Sequence, residues 1–264
     1  MPELKDLVQV HAPFRMLRHG LLAELLAQGL NPEIYFDARA LDELTADEAE
    51  TVAAALRGAG RRVTFHAPFQ DLVPGSTDPA LRAATRRRFA QLLELVPAFG
   101  PRTVVAHAGY DWRRHAHVRD AWIENSVAFW SEVAATLGRA GCRLMLENVY
   151  EHRPAEIGEL LARLAPQGVG LCLDLGHLAA FGRGVLGDWL EALGGRIGQL
   201  HLHDNRGERD EHLPLGAGGI DFAPLFAYLR AARAAPPLVT LEMHQPQDLA
   251  PCLEALARLW PWPA

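Results

Sequence analysis

The chain has 264 residues, 49% hydrophobic and 22% charged, which suits one soluble α/β domain and offers no composition shift at which to divide it. With 26 basic against 32 acidic side chains the formal charge is −6, which excludes a general attraction to phosphate backbones, so nucleic acid is not an expected partner. Cys142, Cys172 and Cys252 stand apart in apolar segments without CxxC pairs, which excludes a cysteine metal cluster and suits small core residues.

Neither an apolar leader after the charged stretch Met1–Asp6 nor a run long enough to span a membrane is present, so the expected location is the cytoplasm. Strand-like apolar runs are predicted in chain order at Leu7–His11, Glu33–Phe36, Arg62–His66, Thr103–His107, Arg143–Glu147, Val169–Asp174, Ile197–His203 and Leu238–Glu242. The segments between them carry helical spacing, as in Phe89, Leu92, Leu93 and Val96, or Ile123, Val127, Trp130 and Leu137. Ser76-Thr77-Asp78-Pro79 and Asp221 supply helix starts, while Gly29, Gly60, Gly100 and Gly141 fall near helix ends. Eight strands separated by helices are parallel and predict a single-domain (β/α)8 TIM barrel over residues 1–264, with the helix before the seventh strand short and poorly bounded.

Nearly every run ends on a metal-ligand or acid/base side chain: His11, Asp37, His66, His107, Glu147, Asp174, His201 and Glu242. A closed parallel barrel gathers its strand ends at one mouth, where converging acids and imidazoles lose solvation unless a cation lies among them. The tetrapeptide His-Ala-Pro-Phe occurs at 11–14 and again at 66–69, as an old repeat or a coincidence.

Further motifs cluster at the same ends. Asp174 and His177 are three apart at the exit of an apolar strand, suited to one ion or to an ion and its substrate. Glu147 and Glu242 offer two carboxylates across the mouth that can bind metal and move protons. In His201-Leu202-His203 the two imidazoles point the same way on an extended strand, with His201 the expected ligand and His203 supporting it or facing substrate. Asp210 and His212 repeat an acid-x-His pair, and the following Pro214–Asp221 segment reads either as backbone amides open to an anion or as a plain tight turn. The loop Tyr110–His115, with Trp112, is expected to lie over the mouth, whereas Arg86-Arg87-Arg88 reads as a solvated helix face.

HAPF at 66–69, HAG at 107–109, LEN at 146–148, LDLGH at 173–177, HLHDN at 201–205, DEHLPLGAGGIDF at 210–222 and LE at 241–242 resemble the xylose-isomerase-like TIM-barrel superfamily, within it the sugar phosphate isomerase/epimerase group. The resemblance covers almost the whole chain. It implies a divalent ion (zinc, manganese, iron or cobalt) held by Glu147, Asp174, His201 and Glu242, with the two glutamates as the acid/base pair acting on a carbohydrate through an enediolate. His11, His177, His203 and Trp112 would then contact substrate, and a homo-oligomer is common in the superfamily. The related endonuclease IV pattern, which uses three zinc ions, also fits His66, His107, Glu147, Asp174, His177, His201, Asp210, His212 and Glu242, so the implied number of ions is one, extendable to three. That nuclease carries Asp-Thr-Cys-His where this chain has Asp174-Leu175-Gly176-His177, and His-Leu-Asn-Asp where it has His201-Leu202-His203-Asp204.

Overall fold

A computed structural model describes residues 3–182 and 184–263. Eight parallel strands close on one another in chain order: β1 (Gln9–Pro13), β2 (Asn31–Tyr35), β3 (Thr64–His66), β4 (Thr103–His107), β5 (Arg143–Glu147), β6 (Gly170–Asp174), β7 (Ile197–Leu202) and β8 (Leu238–Leu241). The register sets His107 beside Glu147 and Asp174 beside His201, so polar strand ends meet at one level. Helices such as Ala46–Gly58, Pro79–Phe99, Arg119–Arg139 and Leu249–Leu259 surround the barrel. Among the described residues, no helix is long and apolar enough to cross a membrane.

Local chemistry accounts for the helix boundaries. Asp78 accepts the amide of Ala80 with Pro79 in the first turn, and the expected glycines 29, 60, 100 and 141 all take positive φ. The segment before β7 is two helices, Leu175–Phe181 and Leu186–Leu193, rather than one. The hydrophobic shell joins strand and helix faces through Phe36, Phe65, Leu92, Trp130, Leu146, Leu173 and Leu229, and all three cysteines are buried and unpaired. Arg86 and Arg88 pair with Glu132 and Asp42 on the surface, as a solvated face would.

Inside the barrel a polar layer lies below the mouth. Thr64 Oγ1 and Thr240 Oγ1 donate to Glu33 Oε2 at 2.8 and 2.9 Å, and Gln199 Nε2 donates to the same oxygen. Glu33 is fully buried, so its charge is tolerated because donors converge on it. This carboxylate goes unrecognised in the sequence, where Asp37 is the acid expected to close the second strand. Asp37 instead accepts the amide of Ala40 at 2.6 Å as a helix cap and stands outside the mouth.

Candidate metal centre

Glu147, at the end of β5, is the hub. Its Oε2 lies 3.1 Å from His66 Nε2 and 3.3 Å from His107 Nε2, while Oε1 lies 3.1 Å from His201 Nδ1 and 3.2 Å from His177 Nδ1. His201 Nδ1 is also 3.2 Å from Glu242 Oε1 and 4.0 Å from Asp174 Oδ2. Beyond them Asp210 Oδ2 stands 3.4 Å from His177 Nε2 and 3.2 Å from His212 Nε2, and Asp210 Oδ1 stands 3.5 Å from His203 Nε2. These atoms form ligand groups whose members could hold cations: His66, His107 and Glu147; Glu147, Asp174, His201 and Glu242; and His177, His203, Asp210 and His212.

Several rings have one nitrogen tied down. The Nδ1–H groups of His66 and His212 donate to the backbone carbonyls of Ala67 and Glu242 at 2.9 and 2.7 Å, and His177 Nδ1–H lies between Asn148 O at 3.0 Å and Glu147 Oε1 at 3.2 Å. That leaves Nε2 of each ring turned toward a carboxylate. His201 is held the other way: Glu33 Oε1 lies 2.8 Å from its Nε2, though off the N–H axis of a linear hydrogen bond, and Nδ1 faces the mouth. A nitrogen lone pair and a carboxylate oxygen this close repel each other unless a proton or a metal ion lies between them.

Protons take that place when no metal is bound. Burial alone would raise Glu147, but the charges of His201 and then His107 hold it well below the carboxylate range. Burial opposes charge on His212 too, yet the hydrogen bond to Asp210 brings it up to about 9. His11 goes the other way, down to about 3 through burial and the nearby His66, and stays neutral. Asp174 Oδ2, Asp210 Oδ1 and both nitrogens of His203 are buried without a hydrogen-bond partner, so the donor set fits divalent metal.

Neighbouring residues hold the ligands. Asn148 clamps β6, donating to the Asp174 carbonyl and accepting its amide, both at 2.9 Å. Phe69 stacks on His107 with ring centroids 4.3 Å apart, and His203 lies between Gly176 and His212, 3.9 Å from the latter. A Cβ at position 176 would collide with the His203 ring, so that imidazole needs glycine beside it.

The cavity above measures about 850 Å³ and is lined by His11, Tyr35, His66, Phe69, His107, Arg114, Tyr150, His177, Phe181, Asp210, His212 and Glu242, among others. His11 and His177 therefore face it as expected. His203 does not: it is buried behind Asp174 and Asp210 and joins the ligand cluster instead of facing substrate. Trp112 also lies outside the lining, its Nε1 2.9 Å from His152 Nε2, because the short helix Trp112–His115 turns Arg114 and His115 inward in its place. The glycine segment after His212 offers no open anion site, since the amides of Gly216, Gly218 and Ile220 already donate to Asp204 at 2.9, 2.9 and 3.1 Å. Tyr35 could have been found from the alternation of β2, which turns residues 31, 33 and 35 to one side.

Residues 30–259 match the family model described as xylose isomerase-like TIM barrel. The chain is 30% identical to a probable endonuclease 4 of Mycobacterium leprae over 210 residues, covering 75% of this chain and 80% of that protein. It is 27% identical to the uncharacterized protein MJ1311 of Methanocaldococcus jannaschii over 64% of this chain, spanning 60% of that protein's length. Among solved structures, the TTHB071 protein from Thermus thermophilus, soaked with ZnCl2, superposes with a TM-score of 0.78 at 28% identity over 96% of this chain and 98% of that one. A D-tagatose 3-epimerase-like protein shares the fold, with a TM-score of 0.76 at 21% identity over 95% of this chain and 96% of that one.

Proposed function

The chain belongs to the xylose isomerase-like TIM-barrel family, and from that premise we propose that it is a metal-dependent phosphoesterase whose mouth holds more than one divalent ion. The observation that carries the reading is the split of Glu147, one oxygen toward Nε2 of His66 and His107 and the other toward Nδ1 of His201, which suits a carboxylate shared between two ions. A single ion on Glu147, Asp174, His201 and Glu242 would leave His66, His107, Asp210 and His212 with no role. The similarity to endonuclease 4 supports the same reading.

Closely spaced divalent ions supply neutralisation of a phosphoryl group and an activated water at neutral pH. His66, His107 and Glu147 would hold one ion, Glu147, Asp174, His201 and Glu242 a second, and His177, Asp210 and His212, joined by His203, a third. The rest of the mouth binds and orients. Arg114 brings a guanidinium to the wall for the substrate's negative charge. Tyr35, whose phenol is pushed up to about 12 mainly by burial, stays protonated and can donate a hydrogen bond. Phe69, Tyr150 and Phe181 give the wall aromatic faces that exclude water around the reacting bond.

A second reading, a single-ion isomerase or epimerase of a carbohydrate, is favoured by Glu147 and Glu242 flanking His201 Nδ1 at 3.1 and 3.2 Å, as an acid/base pair would around a metal-held carbonyl. Metal analysis of the purified protein separates the two readings when combined with assays of bis(p-nitrophenyl) phosphate hydrolysis and of C–H exchange with D2O on a ketose panel. Two or three equivalents and chelator-sensitive hydrolysis are expected. One equivalent, with exchange and no hydrolysis, would replace the phosphoesterase by the isomerase.

A further inference from the structure

We propose that the opposite, N-terminal end of the barrel binds a compact polyphosphate anion. A cavity of about 690 Å³ opens there, with Arg62, Arg102, Arg143, Arg196 and Arg233 in its wall and no aspartate or glutamate. Arg62, Arg102 and Arg196 stand just before β3, β4 and β7, Arg143 begins β5, and Arg233 precedes β8. The sheet brings Arg62, Arg102 and Arg143 side by side, since the Arg102 amide donates to Val63 O at 2.9 Å and the Arg143 amide to Arg102 O at 3.2 Å.

Among the described residues none of these five arginines makes an ion pair, whereas Arg18, Arg57, Arg119 and Arg163 each reach a glutamate. What the basin arginines do reach is neutral. Arg143 donates to Gly168 O at 3.4 Å, Arg196 to Leu161 O at 3.3 Å and Arg233 to Ile197 O at 2.8 Å. Carbonyls orient these side chains without cancelling their charge. Burial, and then the Arg102 charge, holds the Arg62 guanidinium below its usual value, although the Asp6 charge opposes them, and an anion among the arginines would offset the Arg102 repulsion.

The basin is sealed from the metal centre. Met145 plugs the barrel at its floor, and a Cβ on Gly170 or Gly198 would come within 2.7 or 2.8 Å of its sulfur, so both glycines make room for the plug. A ligand here is therefore separate from the chemistry at the mouth. Planar guanidinium groups converging from several sides match the oxygens of consecutive phosphates. A concave basin suits a short phosphate chain, free or on a nucleoside, better than a polynucleotide that must run on across the surface.

Calorimetric titration of the metal-loaded protein with sodium tripolyphosphate, ATP and a single-stranded oligonucleotide, against NaCl of equal ionic strength, tests this. Wild type is compared with Arg102→Gln/Arg143→Gln, exposed positions whose unliganded melting temperature reports intact folding. Tripolyphosphate should bind the variant at least about tenfold more weakly at one site, while a second site at the metal mouth keeps the same affinity in both proteins. ATP binding as tightly as tripolyphosphate assigns the site to the phosphate chain, and tighter ATP binding to a nucleotide. Equal binding by both proteins, no heat beyond the salt control, or variant-sensitive binding of the oligonucleotide alone would overturn the proposal.

Discussion

Asp174, the last residue of β6, and Asp204, two residues past the end of β7, are both fully buried acids, yet they are met in opposite ways. Asp204 receives the backbone amides of Asn205, Gly216, Gly218 and Ile220 between 2.8 and 3.1 Å, a complete nest. Asp174 receives the His177 amide at 2.6 Å on Oδ1, while Oδ2 has no donor and faces His203 at 3.3 Å. Where the backbone satisfies a buried carboxylate, the residue is architecture; where it does not, an oxygen is left open to a cation. Glu151 is a third case: the Val149 amide donates to it at 2.7 Å, and burial pushes its carboxyl up to about 7, so that a proton serves in place of either.

The largest effect that could break this contrast is at Glu147. Glu147→Gln keeps the shape of the hub and halves its capacity to share charge, so metal analysis should show loss of at least one equivalent and hydrolysis should fall more than about 100-fold. Full metal content with full activity would remove Glu147 from the ligand set. Next comes Asp204→Asn, which turns an amide donor toward backbone donors. Urea unfolding of the metal-loaded protein should report about 2–3 kcal/mol of lost stability, and an unchanged midpoint would mean that the nest does not hold the loop.

Glu151→Gln is the smallest of the three and depends on pH. The folded protein retains a proton on Glu151 from its ordinary value of 4.5 up to about 7, while the unfolded chain has released it. Wild-type stability is therefore fully present below that window and is lost as pH rises through it. The glutamine variant stays neutral throughout. It should match wild type near pH 4.5 and exceed it by about 1–3 kcal/mol above pH 7, in melting curves taken across the range. A constant difference at all pH values would mean that Glu151 titrates normally.

The contrast also marks what a sequence can reveal. The barrel was legible because apolar runs, helix stripes and caps such as Asp78-Pro79 repeat one local pattern, and β4, β5 and β7 begin where their apolar runs begin. The mouth was legible because one such run after another ends on a histidine or acid, and a closed parallel barrel brings those ends together. Glu33 was not, since a glutamate within a strand reads as solvent-facing. Its partners Thr64, Gln199 and Thr240 lie 31, 166 and 207 residues away and meet only when the barrel closes. Asp37 misled because a strand-ending acid and a helix cap look alike in one dimension. The glycines after Pro214 did suit an anion, but that anion is the chain's own Asp204.

The contact of Gly176 with His203 ties together two distant places in the chain. Because any Cβ at 176 would strike the imidazole, a side chain can enter position 176 only once the ring at 203 has been made smaller, so the two residues change together or not at all.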